Sequence, residues 1–475
     1  IMGVSSKSMN IGRTILGNLL RDSFPKNEIF IIRPETEEID GVACVPGLSD
    51  LPAPVDLLVV AVAANQVPDI LEEVVSGDLA KSIVLIPGGM GETRKGKEAA
   101  RKAELAITNA REKGRPAPVI IGPNCLGIRS LPGKYDTLFI PETKLPLPTG
   151  LSEPNTAMVF QSGAFMITRM NELPYLNPVY AISTGNQMDL TTTDFAEDFV
   201  DNPKIKVIGL YIEGFRDGEG LRSVQAIQKL AQNGKDVVVY RAGRTAEGKS
   251  ATSSHTASMA GDYRIFQSAA AKAGALVAES FDEFRHLLML ASLLENKTVN
   301  GKKLALSSNA GFETVGMADN VDSSRGFSLA VYEDQTIRRI GKTLDERRIS
   351  RLITVGNPLD LTPMASDDVH TECLEAILDD PNVDAVIMGF VPLTPAMATL
   401  PAGISKYDSI EKPTSLANRV PQILEGRDKP VVTVVDAGRL YDPLADAILM
   451  GGIPCFRSAD NAMKALQKYL ARKYE

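Results

Sequence analysis

Three histidines occur in the 475 residues. One of them, His255, stands in Ser253-Ser254-His255-Thr256-Ala257-Ser258-Met259-Ala260-Gly261, among small and hydroxyl-bearing residues, with a helix-like run just beyond. An imidazole in a loop before a helix can meet a phosphate, because free backbone N–H groups and the helix dipole favour an anion there. His255 is therefore a candidate phosphate-carrying nucleophile. The plain alternative is a polar loop histidine without chemistry. Glu213, in Tyr211-Ile212-Glu213-Gly214-Phe215, puts a carboxylate at the end of an apolar run. Such a carboxylate can bond one imidazole nitrogen, fix the tautomer and leave the other nitrogen free to attack. Taken singly, it reads as a solvated strand-end acid. His286 falls in an apolar helix pattern and His370 in a polar loop; neither receives a role.

Five turns have the composition to hold anions. Gly3-Val4-Ser5-Ser6-Lys7-Ser8-Met9-Asn10-Ile11-Gly12 lies between a strand end and a helix, so its hydroxyls and N–H groups can face a phosphate. It departs from G-x-G-x-x-G and equally fits an ordinary strand-to-helix turn. Ile86-Pro87-Gly88-Gly89-Met90-Gly91-Glu92 follows a strand, where doubly wound sheets bind ligands. In Gly122-Pro123-Asn124-Cys125-Leu126-Gly127 the cysteine reads as a small buried hydrophobe, with no base nearby in sequence. Phe160-Gln161-Ser162-Gly163-Ala164 lacks the leading glycine of a nucleophile elbow. Its Ser162 reads as an anion-binding turn residue or a simple N-cap. Ser183-Thr184-Gly185-Asn186-Gln187-Met188-Asp189 again follows a strand.

The elements that must position these turns alternate throughout. Ile29–Ile32, Leu57–Val62, Ser82–Ile86 and Val119–Ile121 read as buried parallel strands, separated by helical patterns at Ile11–Leu20, Val67–Val75 and Gly96–Lys113. This is a doubly wound α/β pattern. Pro141 to Pro154 reads as a linker. A second unit has strands at Thr156–Phe160, Val179–Ile182, Val207–Ile212 and Asp236–Tyr240 and a helix at Phe281–Leu294, and a third opens at Lys303–Ser307. Ile1-Met2-Gly3 reads as the end of a strand whose upstream residues are missing from this sequence. The domains are expected at 1–140, 155–297 and 301–475.

A net charge of −8 and the lack of a long basic run argue against nucleic acid as a partner. The longest apolar runs are strand-length, which argues against a membrane span. Four scattered cysteines, with no Cys/His cluster, suggest reduced thiols, a cytoplasmic protein and no metal site.

The second and third units parallel one another. Thr156–Ala164 matches Lys303–Gly311, Val207–Gly214 matches Asp384–Gly389, Asp236–Arg244 matches Pro430–Arg439, and Ala275–Phe284 matches Gly452–Met463. Between the last two landmarks the second unit is longer, and the excess holds Ser253 to Gly261. A loop elaborated in one copy of a repeat points to function.

Taken in order, these motifs resemble the α-subunit of nucleoside-diphosphate-forming acyl-CoA synthetases, in the ADP-forming acetate–CoA ligase branch related to succinyl-CoA synthetase. The resemblance spans nearly the whole chain, including Asn309-Ala310-Gly311 and Asn357-Pro358-Leu359-Asp360-Leu361. It implies a Rossmann-like CoA-binding domain followed by two flavodoxin-like ligase domains. It makes His255 the phosphorylated histidine and Glu213 its partner. Gln161, Ser162, Gly163, Gly185 and Asn186 would line the phosphate and acyl site. Gly3, Ser5, Ser6, Lys7, Arg33, Pro34, Gly88, Gly89 and Asn124 would hold CoA. An ATP-grasp β subunit or fused domain would carry ATP/ADP and Mg²⁺, and the substrates would be a small carboxylic acid and acyl-CoA in an oligomeric enzyme. Three departures stand out: Ala257 where relatives have Gly, Arg33-Pro34-Glu35 where they have Asn-Pro-Lys, and Phe312-Glu313 for a small Gly-Pro pair. They leave room for a CoA-binding sensor without turnover. An NAD(P)-dependent dehydrogenase fits the first domain only.

Overall fold

The computed structural model describes residues 1–91, 94–147, 153–255 and 262–474. The chain divides into two compact units, one holding 1–149 and 153–284, the other 285–475 with 150–152.

In the first unit, short β-branched runs form parallel strands. Ile31–Ile32 pairs with Val42–Val45, and Val55–Val60, Ala80–Leu85 and Val119–Ile121 pair in sequence. Met2 bridges both Ile32 and Val60, so the residues before the glycine loop join the two sets of strands. The antiparallel strand Glu38–Ile39 on Val42–Val45 goes beyond the elements expected from periodicity. Helices Ile11–Arg21, Val67–Gly77 and Arg94–Glu112 cover this layer through apolar faces such as Ile15, Leu16 and Leu19. Burial of these stripes, rather than intrinsic propensity, holds such helices.

The same unit contains a seven-stranded sheet. Its parallel part runs Ala275–Ala278, Asp236–Arg241, Val207–Ile212, Thr156–Phe160, Tyr180–Ser183, which is the order fifth, fourth, third, first, second. Every residue of Thr156–Phe160 and Val207–Ile212 is buried, as expected where helices cover both faces. The edge is extended by an antiparallel hairpin, Ile128–Ser130 and Tyr135–Asp136. These residues precede the Pro-rich stretch, yet they pair with the second sheet. The hairpin carries the preceding turn with it: the Leu126 amide donates to Ser183 Oγ at 3.0 Å and the Ser183 amide to the Gly127 carbonyl at 3.0 Å.

The second unit repeats the topology. Its six-stranded parallel sheet runs Ser328–Leu329, Lys303–Ser308, Ala385–Phe390, Val431–Val435, Cys455–Phe456, which with the extra short strand Leu359–Asp360 on Lys303–Ser308 left aside is again second, first, third, fourth, fifth. All four parallels found in sequence fall on matching strands. The excess also falls where expected: the fourth-to-fifth connection spans 242–274 in the first unit and 436–454 in the second.

One expectation is overturned here. His370 lies in the helix Asp367–Asp379 and not in a polar loop. It is fully buried against Phe390, with ring centroids 5.4 Å apart, and among the described residues neither ring nitrogen has a partner. Burial pushes its pKa down to about 3. Asp368, Glu372 and Glu375 are partly exposed and Asp379 is exposed, whereas Asp367, one turn earlier, is buried like Val369, Cys373 and Ile377.

Candidate active site

Glu213 follows the third strand of the seven-stranded sheet, and its main chain is held on both sides. Gln161, one residue past the first strand, accepts through Oε1 from the Glu213 amide and, at 3.0 Å, from the Gly214 amide. Gln161 Nε2 donates to the Gly214 carbonyl at 3.0 Å. From the fourth strand, Arg241 Nη1 donates to the Glu213 carbonyl. The carboxylate itself receives a hydrogen bond from the Tyr211 hydroxyl. Burial first, then the Glu213 charge, push the Tyr211 pKa above the ordinary phenol value, so the hydroxyl stays a donor at neutral pH. The Tyr211 ring stacks on Phe165 at 4.3 Å and on Tyr240 at 5.7 Å.

The turn expected to hold an anion is the start of the helix Gly163–Glu172. Ser162 is its N-cap and accepts from the Phe165 amide at 3.2 Å. That engages the hydroxyl inward and leaves the first-turn amides of Gly163 and Ala164 at the open end of the helix. A Cβ on Gly163 would stand 2.4 Å from Leu126 Cβ, so only glycine allows this approach. Gly185, with φ +57°, sits so that a Cβ would meet the Pro123 carbonyl oxygen at 2.3 Å. Two turns far apart in sequence are thereby laced together: Asn186 donates its amide to the Pro123 carbonyl at 2.8 Å, and Asn124 Nδ2 bonds Asn186 Oδ1 at 3.4 Å. Arg111 forms an ion pair with Asp189, whose Oδ2 also accepts from the Ile120 amide.

These groups line one cleft of about 800 Å³, where Gly88, Asn124, Gln161, Ser162, Gly163, Gly185, Asn186, Tyr211 and Glu213 meet. Its apolar wall is Val62, Ile86, Leu126, Phe139, Ile140 and Ile167. Cys125 also lines it, but is buried, donates to the Leu85 carbonyl and has its pKa pushed up to about 12 by burial. A thiol so held is no nucleophile at neutral pH. A separate apolar cavity of about 770 Å³, around Ile1, Leu51, Val119 and Phe195, is lined by none of the candidate residues.

The backbone around His255 differs from the expected loop before a helix. His255 lies in the helical stretch Ala246–His255. The next helix, Tyr263–Lys272, is capped by the Asp262 carboxylate, which accepts from the Arg264 and Ile265 amides. Ala251 and Thr252 line the cleft, and His255 stands one helical turn beyond Thr252. The His255 side chain and residues 256–261, Ala257 among them, lie outside the described residues.

The first glycine loop is built for close backbone approach. Gly3 has φ +90°, and a Cβ on it would be 2.2 Å from the Ala61 carbonyl oxygen, next to the cleft. Asn10 caps the helix Ile11–Arg21 and donates to the Gly3 carbonyl at 2.8 Å. Ser5 Oγ turns inward, accepting from the Lys7 and Ser8 amides. Arg13 and Arg33 donate to the Ser5 and Val4 carbonyls at 3.0 and 2.9 Å, so Arg33 braces the loop. Ser6, Lys7 and Pro34 are exposed, and Gly89, with φ +87°, has open space around it. Such a cradle, beside an apolar-walled cleft, fits a phosphate-bearing thiol ester with a long flexible arm.

Sequence reasoning missed Tyr211, Arg241, Asn10 and Arg13. Arg241 carried one signal, a lone cation closing the apolar run from Val237 to Tyr240 in the strand Asp236–Arg241. The others look ordinary until their partners are known.

A doubly wound α/β protein with a glycine cradle beside a cleft on a flavodoxin-like sheet defines the class. Residues 1–130 match the family described as "CoA binding domain" and residues 153–291 the "Succinyl-CoA ligase like flavodoxin domain". The subunit alpha of Acetate--CoA ligase [ADP-forming] II from Pyrococcus furiosus is 28% identical over 98% of this chain and 94% of that protein. Acetate--CoA ligase [ADP-forming] I from Archaeoglobus fulgidus is 31% identical over 82% of this chain, which spans only 53% of that relative. The dinucleotide forming acetyl-coenzyme A synthetase 1 of Ca. Korarchaeum cryptofilum, solved with phosphate and ADP, superposes with a TM-score of 0.82 at 26% identity, covering 100% of this chain and 95% of that one. The chain belongs to the ADP-forming acyl-CoA synthetase family, the acid–thiol ligases related to succinyl-CoA synthetase, and corresponds to their α part. This supports the synthetase reading over the sensor and the dehydrogenase.

Proposed function

We propose that this chain binds CoA and relays phosphate through His255 in the interconversion of acyl-CoA, phosphate and ADP with carboxylic acid, CoA and ATP. The observation that carries the reading is the convergence of Gln161, Ser162, Gly163, Gly185, Asn186 and Glu213 in one cleft with Thr252, one turn before His255.

Lys7 and the Gly3–Asn10 loop take the CoA phosphates, and Gly88, Gly89 and Asn124 flank the arm that enters the cleft. Phosphate attacks the thioester carbonyl there: a C–O bond forms, the C–S bond breaks, and the thiolate takes a proton. An imidazole nitrogen of His255 then attacks phosphorus, forming N–P as the carboxylate leaves. The first-turn amides of Gly163 and Ala164 face the phosphoryl oxygens. Glu213 orients the imidazole and offsets the positive charge it gains. ADP, with Mg²⁺, accepts the phosphoryl group on an ATP-grasp β subunit or fused domain, within an oligomer in the cytoplasm. Every step runs in either direction.

The test is to incubate the chain with an ATP-grasp partner, ATP and Mg²⁺. An acid-labile, base-stable phosphate is expected on His255, absent from His255→Ala. A phosphate that survives that substitution sinks the assignment.

A further inference from the structure

We propose that Arg241 is a positioning residue that aims Glu213 by holding its main chain, an inference that rests on the phosphohistidine reading above.

Arg241 ends the fourth strand and is 3% exposed. A buried guanidinium is ordinarily paired with a carboxylate, because desolvating its charge is costly. Among the described residues Arg241 has no such ion pair. Its Nη1 instead donates to three main-chain carbonyls, those of Ile212 at 3.4 Å, Glu213, and Ala242 at 2.9 Å. Its Nε has no partner, and the guanidinium carbon stands 5.2 Å from the centre of the Phe215 ring. All its hydrogen bonds therefore converge on the ends of the third and fourth strands, where Glu213 leaves the sheet.

Geometry separates the two faces of that strand end. Tyr211 contacts Phe165 and Tyr240 on one side and bonds the Glu213 carboxylate from there. Arg241 packs on Phe215, which itself packs on Phe266. Gln161 holds the Glu213 amide and Arg241 its carbonyl, so the peptide units on both sides of the carboxylate-bearing carbon are pinned. A carboxylate that must meet an imidazole gains from such fixation, since small misplacements at a reacting centre are expensive.

The second unit is an internal control. Its third and fourth strands carry the equivalent hydrogen bond, from the Asp436 amide to the Phe390 carbonyl, matching Ala242 to Ile212. On that correspondence Val391 stands for Glu213 and Val435 for Arg241. The copy without the carboxylate also lacks the arginine, although its own amide clamp is kept: Asn309 bonds both the amide and the carbonyl of Val391, at 2.8 and 2.9 Å. The sheet closes without a cation at this place, so the cation belongs with the carboxylate.

The test is a double-mutant cycle on the complex with the ATP-grasp partner, using Arg241→Met, Glu213→Gln and both together, with Arg241→Lys as the conservative variant. Arg241→Met should slow phosphorylation of His255 by about tenfold or more, with the KM for CoA held within about twofold and part of the rate restored in Arg241→Lys. In the Glu213→Gln background the same change should add less than about twofold, since residues acting through one another are non-additive. Equal slowing in both backgrounds, or none in either, overturns the proposal. A crystal structure of the Arg241→Met chain gives a readout that does not depend on turnover: Glu213 should be displaced. If Glu213 keeps its place the proposal fails, even should His255 take no phosphate in the wild type, an outcome that would count against the phosphohistidine reading itself.

Discussion

Gln161 and Glu213 are fifty-two residues apart, yet the Gln161 side-chain oxygen accepts directly from the Glu213 backbone amide. The same oxygen takes the Gly214 amide at 3.0 Å, and the Gln161 amide nitrogen returns a bond to the Gly214 carbonyl. A candidate phosphate-site residue and the candidate carboxylate are thus one rigid group.

Gln161→Glu keeps the acceptor for both amides but brings a negative charge to a site meant for phosphate. The lost donor to the Gly214 carbonyl should cost roughly 1–2 kcal/mol of stability. The larger effect should be on catalysis, with the KM for phosphate raised about tenfold or more by like-charge repulsion. Initial rates against phosphate concentration check it, alongside thermal unfolding.

Gly185→Ala should destabilise the first unit by roughly 2 kcal/mol or more, because a side chain at φ +57° is strained and its Cβ would collide with the Pro123 carbonyl. Chemical denaturation would measure it. Loss of phosphorylation should accompany the loss of stability, since the Pro123–Asn124 and Gly185–Asn186 turns line the cleft together.

The second unit should lose stability as pH rises. Burial pushes Glu313 up to about 7, with Ser308 opposing and Asp436 adding to the shift, and burial likewise pushes Asp367 up to about 7. Both carboxyls hold protons in the folded state that the unfolded chain has already released. Their contribution is therefore full below the unfolded values near 4 to 4.5 and is lost as pH rises through about 7. Each can change stability by up to roughly 3 kcal/mol across that window. Urea unfolding between pH 5 and 8 should show the decline, and Glu313→Gln should flatten part of it. A slope unchanged in that variant would mean Glu313 is ionised in the folded chain.

Native-state alkylation should separate the cysteines. Cys44 is half-buried, whereas Cys125, Cys373 and Cys455 are buried, with pKa values pushed up to about 12, 12 and 11. Iodoacetamide at neutral pH should modify Cys44 first, read by peptide mass spectrometry; early labelling of Cys125 would contradict the burial described.

What the sequence determined by itself was everything written in local pattern. Runs such as Val237-Val238-Val239 and the glycine turns after them placed nearly every strand that carries a candidate residue, the repeat of two flavodoxin-like units, and the ordered motifs that belong to the synthetase family. Periodicity and turn chemistry are short-range properties, so they survive without the fold. Tertiary structure alone decided the rest. It paired Ile128–Asp136 with the second sheet, because edge pairing depends on which strand lies nearby in space. It buried His370 against Phe390, in a helix whose acidic residues had suggested a polar loop. It placed His255 in a helical stretch, against the reading of a loop. And it gave Arg241 its partners, which no motif could reveal, since every residue carries a carbonyl and only the folded main chain says which three will converge on one guanidinium.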